Sequence, residues 1–209
     1  MNRAAKGALA PYVPAGELTI FSTSFLHSTI YLLDLPGKYP SPLFSFIFFC
    51  VSVLGIYLAT KIKYYRPVGL WIIFLSSINI LSSIVFLLLP HTFPYTVLKF
   101  SELYVSTEVG MWLFVPVLMG MSLLPVPAGI LSKGSIMVLS VLYSMIFGML
   151  RYIVFLFIIT KFSYIFMPVL YFSFGPLVDF VYVVGIYSLY VSKVSERIAQ
   201  DHRLWKWVF

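Results

Sequence analysis

The sequence predicts an all-α, polytopic transmembrane helical bundle, and three observations carry that expectation. Hydrophobic residues fill 61% of the 209 positions and charged residues only 10%, a composition outside the ordinary soluble globular range. The apolar residues fall in long runs instead of amphipathic stripes, as a lipid solvent requires. A window of about 19 residues isolates five such spans, at 43–60, 68–90, 108–126, 136–160 and 168–192.

Taken in order, the chain opens with MNRAAKGALAPYVPAGE, which lacks the apolar core of a cleaved signal and reads as a short tail. Segment 18–35 is apolar but carries Ser, Thr, His27 and Asp34. It reads as a sixth span near the N-terminus, with a helix lying at the interface as the alternative. The first long run holds Cys50, the single cysteine, so a disulfide framework and a CxxC site are both excluded. In the second run Ser76, Asn79 and Ser83 share one face, a pattern that joins helices in lipid. Pro116, Pro125, Pro127, Pro168 and Pro176 mark kinks or span ends. Met111, Met119, Met121, Met145 and Met149 read as packing residues. Residues 193–209, KVSERIAQDHRLWKWVF, form a basic amphipathic tail in which Leu204, Trp205, Trp207 and Phe209 anchor to the inner leaflet. With no repeat or linker, residues 1–209 read as a single integral membrane domain.

The net charge of +7 would suggest nucleic acid in a soluble protein. Here the basic residues sit beside apolar runs, where they act as orientation signals facing anionic lipid. Lys61, Lys63, Arg66, Lys133, Lys193, Arg197, Arg203 and Lys206 fall on one side if the spans alternate; Lys38, Lys99 and Lys161 fall on the other. The richer side is cytoplasmic, so the C-terminus is inside a bacterial or archaeal plasma membrane. A sixth span would place Arg3 and Lys6 inside as well. Tyr64, Tyr65, Tyr95, Tyr104 and Tyr164 are expected near headgroup level.

Three ionisable residues interrupt the apolar runs, where an Arg or Asp costs about 2.5–3.5 kcal/mol on the insertion scale. Arg151 lies in the outer half of the 136–160 span, on the face made by Ser140, Ser144 and Gly148. Asp179 falls near the midplane on a face with Gly175 and Tyr182. Glu108 is expected at the outer mouth of its span, with Glu102 in the loop before it. An Arg with one or both acids is the expected buried pairing, read either as a structural lock or as an outward pocket for an anion or a reaction. His27, His91 and His202 make no metal spacing, so neither metal nor cofactor is assigned. Lys133-Gly134-Ser135 lacks the glycine pattern and strand context of a phosphate loop.

Between about 102 and 192 the order of features resembles the core of the exosortase and archaeosortase family, integral membrane cysteine proteases of C-terminal sorting signals. The corresponding stretches are Glu108-Val-Gly110, Phe147-Gly-Met-Leu-Arg151-Tyr-Ile-Val and Tyr171-Phe-Ser-Phe-Gly175. Gly110, Arg151 and Gly175 carry over in identity. Glu108 stands at the nucleophile position, Tyr171 at the histidine position, and Phe147 or Gly148 where the family has Asn. The thiolate and the near-neutral proton carrier are therefore missing, and cysteine-transpeptidase chemistry is not expected.

The resemblance implies a divergent, non-proteolytic protein of cell-surface sorting or exopolysaccharide assembly. Its Arg151-centred outward pocket, with Glu108, Asp179 and Tyr171, would bind the carboxylate or phosphate of a surface peptide, lipid-linked or glycan precursor. An enzyme of altered chemistry would use Glu108 as base, Arg151 at an oxyanion and Tyr171 or Asp179 to orient substrate. The alternatives are a small transporter, or a subunit contacting other membrane proteins, in which Arg151 and Asp179 form an ion site or a structural pair.

Overall fold

The computed structural model describes residues 2–12, 19–25, 28–62, 66–90 and 92–200. Its elements are α1 (Asn2–Leu9), β1 (Thr19–Phe25), β2 (Ser28–Asp34), α2 (Pro42–Lys61), α3 (Arg66–Leu88), α4 (Val97–Leu123), α5 (Ile130–Lys161), a 3-10 turn (Tyr164–Phe166), α6 (Met167–Phe174) and α7 (Pro176–Gln200). Among the described residues, five helical segments are long and apolar enough to cross a membrane, α6 and α7 counting together as the fifth. The chain is an all-α, multi-pass membrane bundle carrying one short hairpin.

That hairpin replaces the expected sixth span. Strands β1 and β2 pair antiparallel from Thr19↔Asp34 to Phe25↔Ser28. Their density of Thr, Ile, Phe and Tyr favours extended backbone, and the Ser and Thr hydroxyls compete with helical hydrogen bonds. A two-stranded hairpin leaves both edges unpaired, so it cannot cross hydrocarbon alone. His27, His91, the Tyr64-Tyr65 pair and the aromatic tail 201–209 lie outside the described residues. The N-terminal tail is a helix, not an extended lead, and buries Ala5 and Leu9.

Contacts divide the chain into two compact units. The first, residues 1–106 with 149–175, is built around the α2–α3 pair. Ser41 caps α2 by accepting from the Phe44 amide at 3.2 Å, with Pro42 following at the first helical position, the arrangement that satisfies an orphan donor and pre-sets φ. Between the two helices the buried residues are small and recur every seven positions: Ser45, Ser52 and Ala59 on α2, Gly69, Ser76 and Ser83 on α3. Lipid provides no hydrophobic drive for helix pairing, so close backbone approach supplies it. A β-carbon at Gly55 would lie 2.8 Å from Ser76 Oγ, and Ser83 turns its hydroxyl back onto Asn79 O at 2.7 Å. The polar stripe of the second span is thus helix-joining surface. Its far side is lipid-facing, with Leu70, Phe74 and Leu81 exposed, as is Cys50 on α2.

The same unit fixes the start of the fifth span. Ser82 Oγ donates to Ile165 O at 2.8 Å, the Tyr164 amide donates to Lys38 O at 3.0 Å, and Trp71 meets the Phe174 ring edge-to-face at 5.3 Å. Tyr104, expected at headgroup level, is instead 1% exposed, stacked on Tyr152 at 5.5 Å. Tyr164 is buried as well.

The second unit, residues 107–148 with 176–209, packs the Met111–Val115–Met119–Leu123 ridge of α4 with Val183 and Val194 of α7 and with Ile136, Met137 and Val141 of α5. The four-residue spacing puts the ridge on one helical face. Ser132 and Tyr190 share a 2.9 Å hydrogen bond, and Lys133 Nζ donates to Leu124 O at 3.1 Å, serving the carbonyls beyond α4. Met121 and Met145 face outward.

If the small-residue seam pairs α2 with α3, Gly55→Leu overpacks it by about 1–3 kcal/mol. Reversible unfolding in mixed micelles should show that loss, while the lipid-facing Cys50→Leu stays within about 0.5 kcal/mol of the parent.

Candidate functional site

The fifth span is broken at Gly175-Pro176. Proline offers no amide to the preceding turn and drives residue 175 out of helical backbone, and Gly175 indeed has ψ −121°. A β-carbon at 175 would overlap the Tyr171 carbonyl, so glycine is needed for close approach. The Gly175 amide still donates to Tyr171 O at 3.2 Å, closing α6, and the carbonyls next to the break point inward.

Arg151 receives them. Its Nη1 donates to Phe174 O and to Gly175 O, both at 2.8 Å, and the residue is 7% exposed. It lies ten residues before Lys161 in α5, about 15 Å along the axis, well below the helix end. A guanidinium presents several donors in a rigid fork, so one nitrogen can serve two carbonyls. In lipid an unserved carbonyl costs several kcal/mol. Arg151, Gly175 and Tyr171 all belong to the first unit.

Tyr171 helps wall a cavity of about 310 Å³ in that unit, together with Phe93, Phe100 and Met167 and with Leu103 and Phe172 at its rim. The rings brace one another: Phe100 meets Tyr171 at 6.4 Å and Tyr171 meets Phe172 at 5.3 Å, both edge-to-face. Sequence reasoning did not anticipate this cavity. Its one signal is the density of aromatic residues at 93–104 and 171–174, of which Tyr95 and Tyr104 are expected at headgroup level.

Glu108 and Asp179 belong to the second unit. Glu108 is not at an outer mouth, because α4 begins at Val97, eleven residues earlier, and the carboxylate is 1% exposed. The early turns of α4 were hidden from the hydropathy window by Lys99 and Glu102, which form an exposed 2.8 Å ion pair while Val97, Phe100 and Tyr104 pack inward. Glu108 lies against Gly148, where a β-carbon would overlap Oε2. Asp179, 0% exposed, falls in the first turn of α7, where a carboxylate is favoured by the helix dipole. Tyr182, one turn on, donates to Ser144 Oγ at 2.5 Å and lies close to Asp179, with which it hydrogen-bonds, and to Glu108. Ser140, Ser144, Gly148 and Arg151, the expected polar face of α5, are all buried. The Ser144–Tyr182 link between α5 and α7 has no signal in the sequence beyond the shared faces of Ser144 with Arg151 and of Tyr182 with Asp179.

Chemically, the first unit offers a fixed cation at a helix break beside an aromatic cavity. The second offers two dehydrated carboxylates gathered around a phenol. Comparison with protein-family models, with curated proteins and with solved structures gives no match for the chain.

The contact of Glu108 with Gly148 predicts strong coupling between the two positions. Gly148→Ala and Glu108→Ala should each destabilise the protein, and the double variant should depart from additivity by about 0.5–3 kcal/mol, measured by equilibrium unfolding in mixed micelles; additive losses would separate the two residues.

Proposed function

We propose that the chain is a divergent, non-proteolytic exosortase-like membrane protein that binds a surface peptide, lipid-linked or glycan precursor during cell-surface protein sorting or exopolysaccharide assembly. One observation carries the reading. Arg151 and Gly175, two positions that keep the family's residues in separate segments, are joined by a 2.8 Å hydrogen bond. Tyr171, at the family's histidine position, stands in the cavity wall of the same unit. Glu108, at the nucleophile position, touches Gly148, one of the two residues at the Asn position. Each contact, taken within its own unit, supports the reading.

The chemistry has changed with the residues. A buried carboxylate is a poor substitute for a thiolate, and a phenol with a reference pKa of about 10 shuttles protons poorly near neutrality. Binding without bond cleavage follows. The fold would sit in a bacterial or archaeal plasma membrane with the C-terminus cytoplasmic, the side that gathers Lys61, Arg66, Lys133, Lys193 and Arg197.

A second reading, a small transporter or membrane-complex subunit, is favoured by one feature: Glu108 and Asp179 are both fully buried in the second unit, each interacting with Tyr182. Intramembrane carboxylates of this kind serve proton or ion sites.

Deletion of the gene and complementation with variants tests both. Under the binding reading, deletion reduces surface-anchored protein or secreted polysaccharide, Glu108→Gln restores it fully, and Arg151→Lys and Tyr171→Ala do not although they accumulate in the membrane. An unchanged cell envelope on deletion contradicts the reading, and loss of function in Glu108→Gln with Tyr171→Ala fully active moves the role to the carboxylate cluster.

A further inference from the structure

The aromatic cavity of the first unit has an apolar composition that the anion chemistry of Arg151 does not account for. Phe100 and Met167 form its floor and are each 3% exposed, whereas Leu103 and Phe172 at its rim are 37% and 59% exposed. The volume, about 310 Å³, is roughly ten times the ~30 Å³ share of one water molecule. A water needs two to four polar partners to be held in such a space, and apart from the Tyr95 and Tyr171 hydroxyls the lining is rings and aliphatic carbon. Phe93, Phe100, Tyr171 and Phe172 are held by ring contacts to one another and to Tyr164 and Tyr104, so the space is built in, not a gap that neighbouring side chains can relax to fill.

Location selects the occupant. Phe100 and Leu103 fall within the first two turns of α4, and Met167, Tyr171 and Phe172 lie on the eight-residue α6. Leu103 is six residues from the start of α4, about 9 Å along the axis, one residue past the exposed Lys99–Glu102 ion pair, so the mouth lies where the helix passes from charged to apolar surface. The exposed Leu103 and Phe172 rim belongs to helices long and apolar enough to cross a membrane, an apolar rim suited to entry from hydrocarbon. The molecule present there at solvent concentration is bilayer lipid, and each methylene transferred into an apolar wall is favourable by dispersion contact with a packed surface.

We propose that this cavity is a lipid site that seats the acyl chain of a bilayer phospholipid, entered laterally between Leu103 of α4 and Phe172 of α6. The bound chain completes the packing of α6 on the start of α4, so lipid occupancy bears directly on the half-helix that ends at Gly175. The inference uses the cavity and the membrane-crossing helices alone and does not rest on the family reading.

The test is photolabelling in nanodiscs with phosphatidylglycerol bearing a diazirine on its acyl chain, read by peptide mass spectrometry. Carbene insertion is expected at Phe100 and Met167, which bulk lipid cannot touch, as well as at the lipid-facing control Leu81, 66% exposed. Leu103→Trp narrows the mouth from an exposed position and should cut labelling at Met167 several-fold while leaving Leu81 unchanged; Phe172→Ala widens the mouth and should raise it. Labelling confined to Leu81, or labelling at Met167 indifferent to both rim variants, overturns the proposal. Equal labelling of Met167 by a small water-soluble diazirine overturns it too, by making the cavity an aqueous pocket.

Discussion

The structure depends on how one buried guanidinium meets one broken helix. A proline in a membrane span removes an amide and turns backbone carbonyls loose in a medium that cannot solvate them. At Gly175-Pro176 this chain supplies the missing donors from α5, through Arg151 Nη1 at 2.8 Å from both Phe174 O and Gly175 O. The Arg would be costly to bury without partners, and the break would be costly without a donor. Each makes the other tolerable. The consequence is a half-helix, α6, whose C-terminal end is fixed by a charge and whose preceding 3-10 turn is fixed by Ser82 and by the Tyr164 amide.

That arrangement explains why the polar residues of the chain are distributed as they are. In α2 and α3 small residues are used for approach, because helices in lipid gain little from burying larger apolar side chains against each other. In α5 the same small polar residues, Ser140, Ser144 and Gly148, clear one face, and Glu108 and Tyr182 occupy that room from α4 and α7 within the second unit. Ionisable groups are thereby kept off the lipid surface, which is left to Leu, Val, Ile and Phe.

Much of this was legible beforehand, and the reason is physical. Transmembrane helices must satisfy their own backbone, so a long apolar run has one structural solution, and the runs at 43–60, 68–90 and 136–160 lie within α2, the α3 region and α5 with errors of a few residues. The inward faces of Arg151 and Asp179 followed from the same penalty. Other features were hidden. Segment 18–35 is apolar enough to resemble a span, but its Ser, Thr and β-branched residues prefer strand pairing. The polar Lys99–Glu102 pair concealed the first turns of α4 and so displaced Glu108 to a mouth it does not occupy. The two carbonyls that Arg151 serves could not be foreseen either, because a backbone carbonyl carries no residue-type signal and the contacts of Phe174 and Gly175 are invisible along a sequence. The aromatic cavity was obscured for a similar reason, since a ring that lines a space and a ring that lies at a headgroup look alike along a sequence.

The central claim is that Arg151 serves the backbone at the helix break. The most direct measurement is the dipolar coupling between 15N-labelled Arg151 side-chain nitrogens and 13C-labelled Gly175 carbonyl, by solid-state NMR in lipid bilayers. Donation to Gly175 O at 2.8 Å predicts a strong coupling that Pro176→Ala reduces, by letting the helix run on so that the Asp179 amide takes the Gly175 carbonyl. Absence of coupling in the parent protein, with its spans intact, would contradict the account.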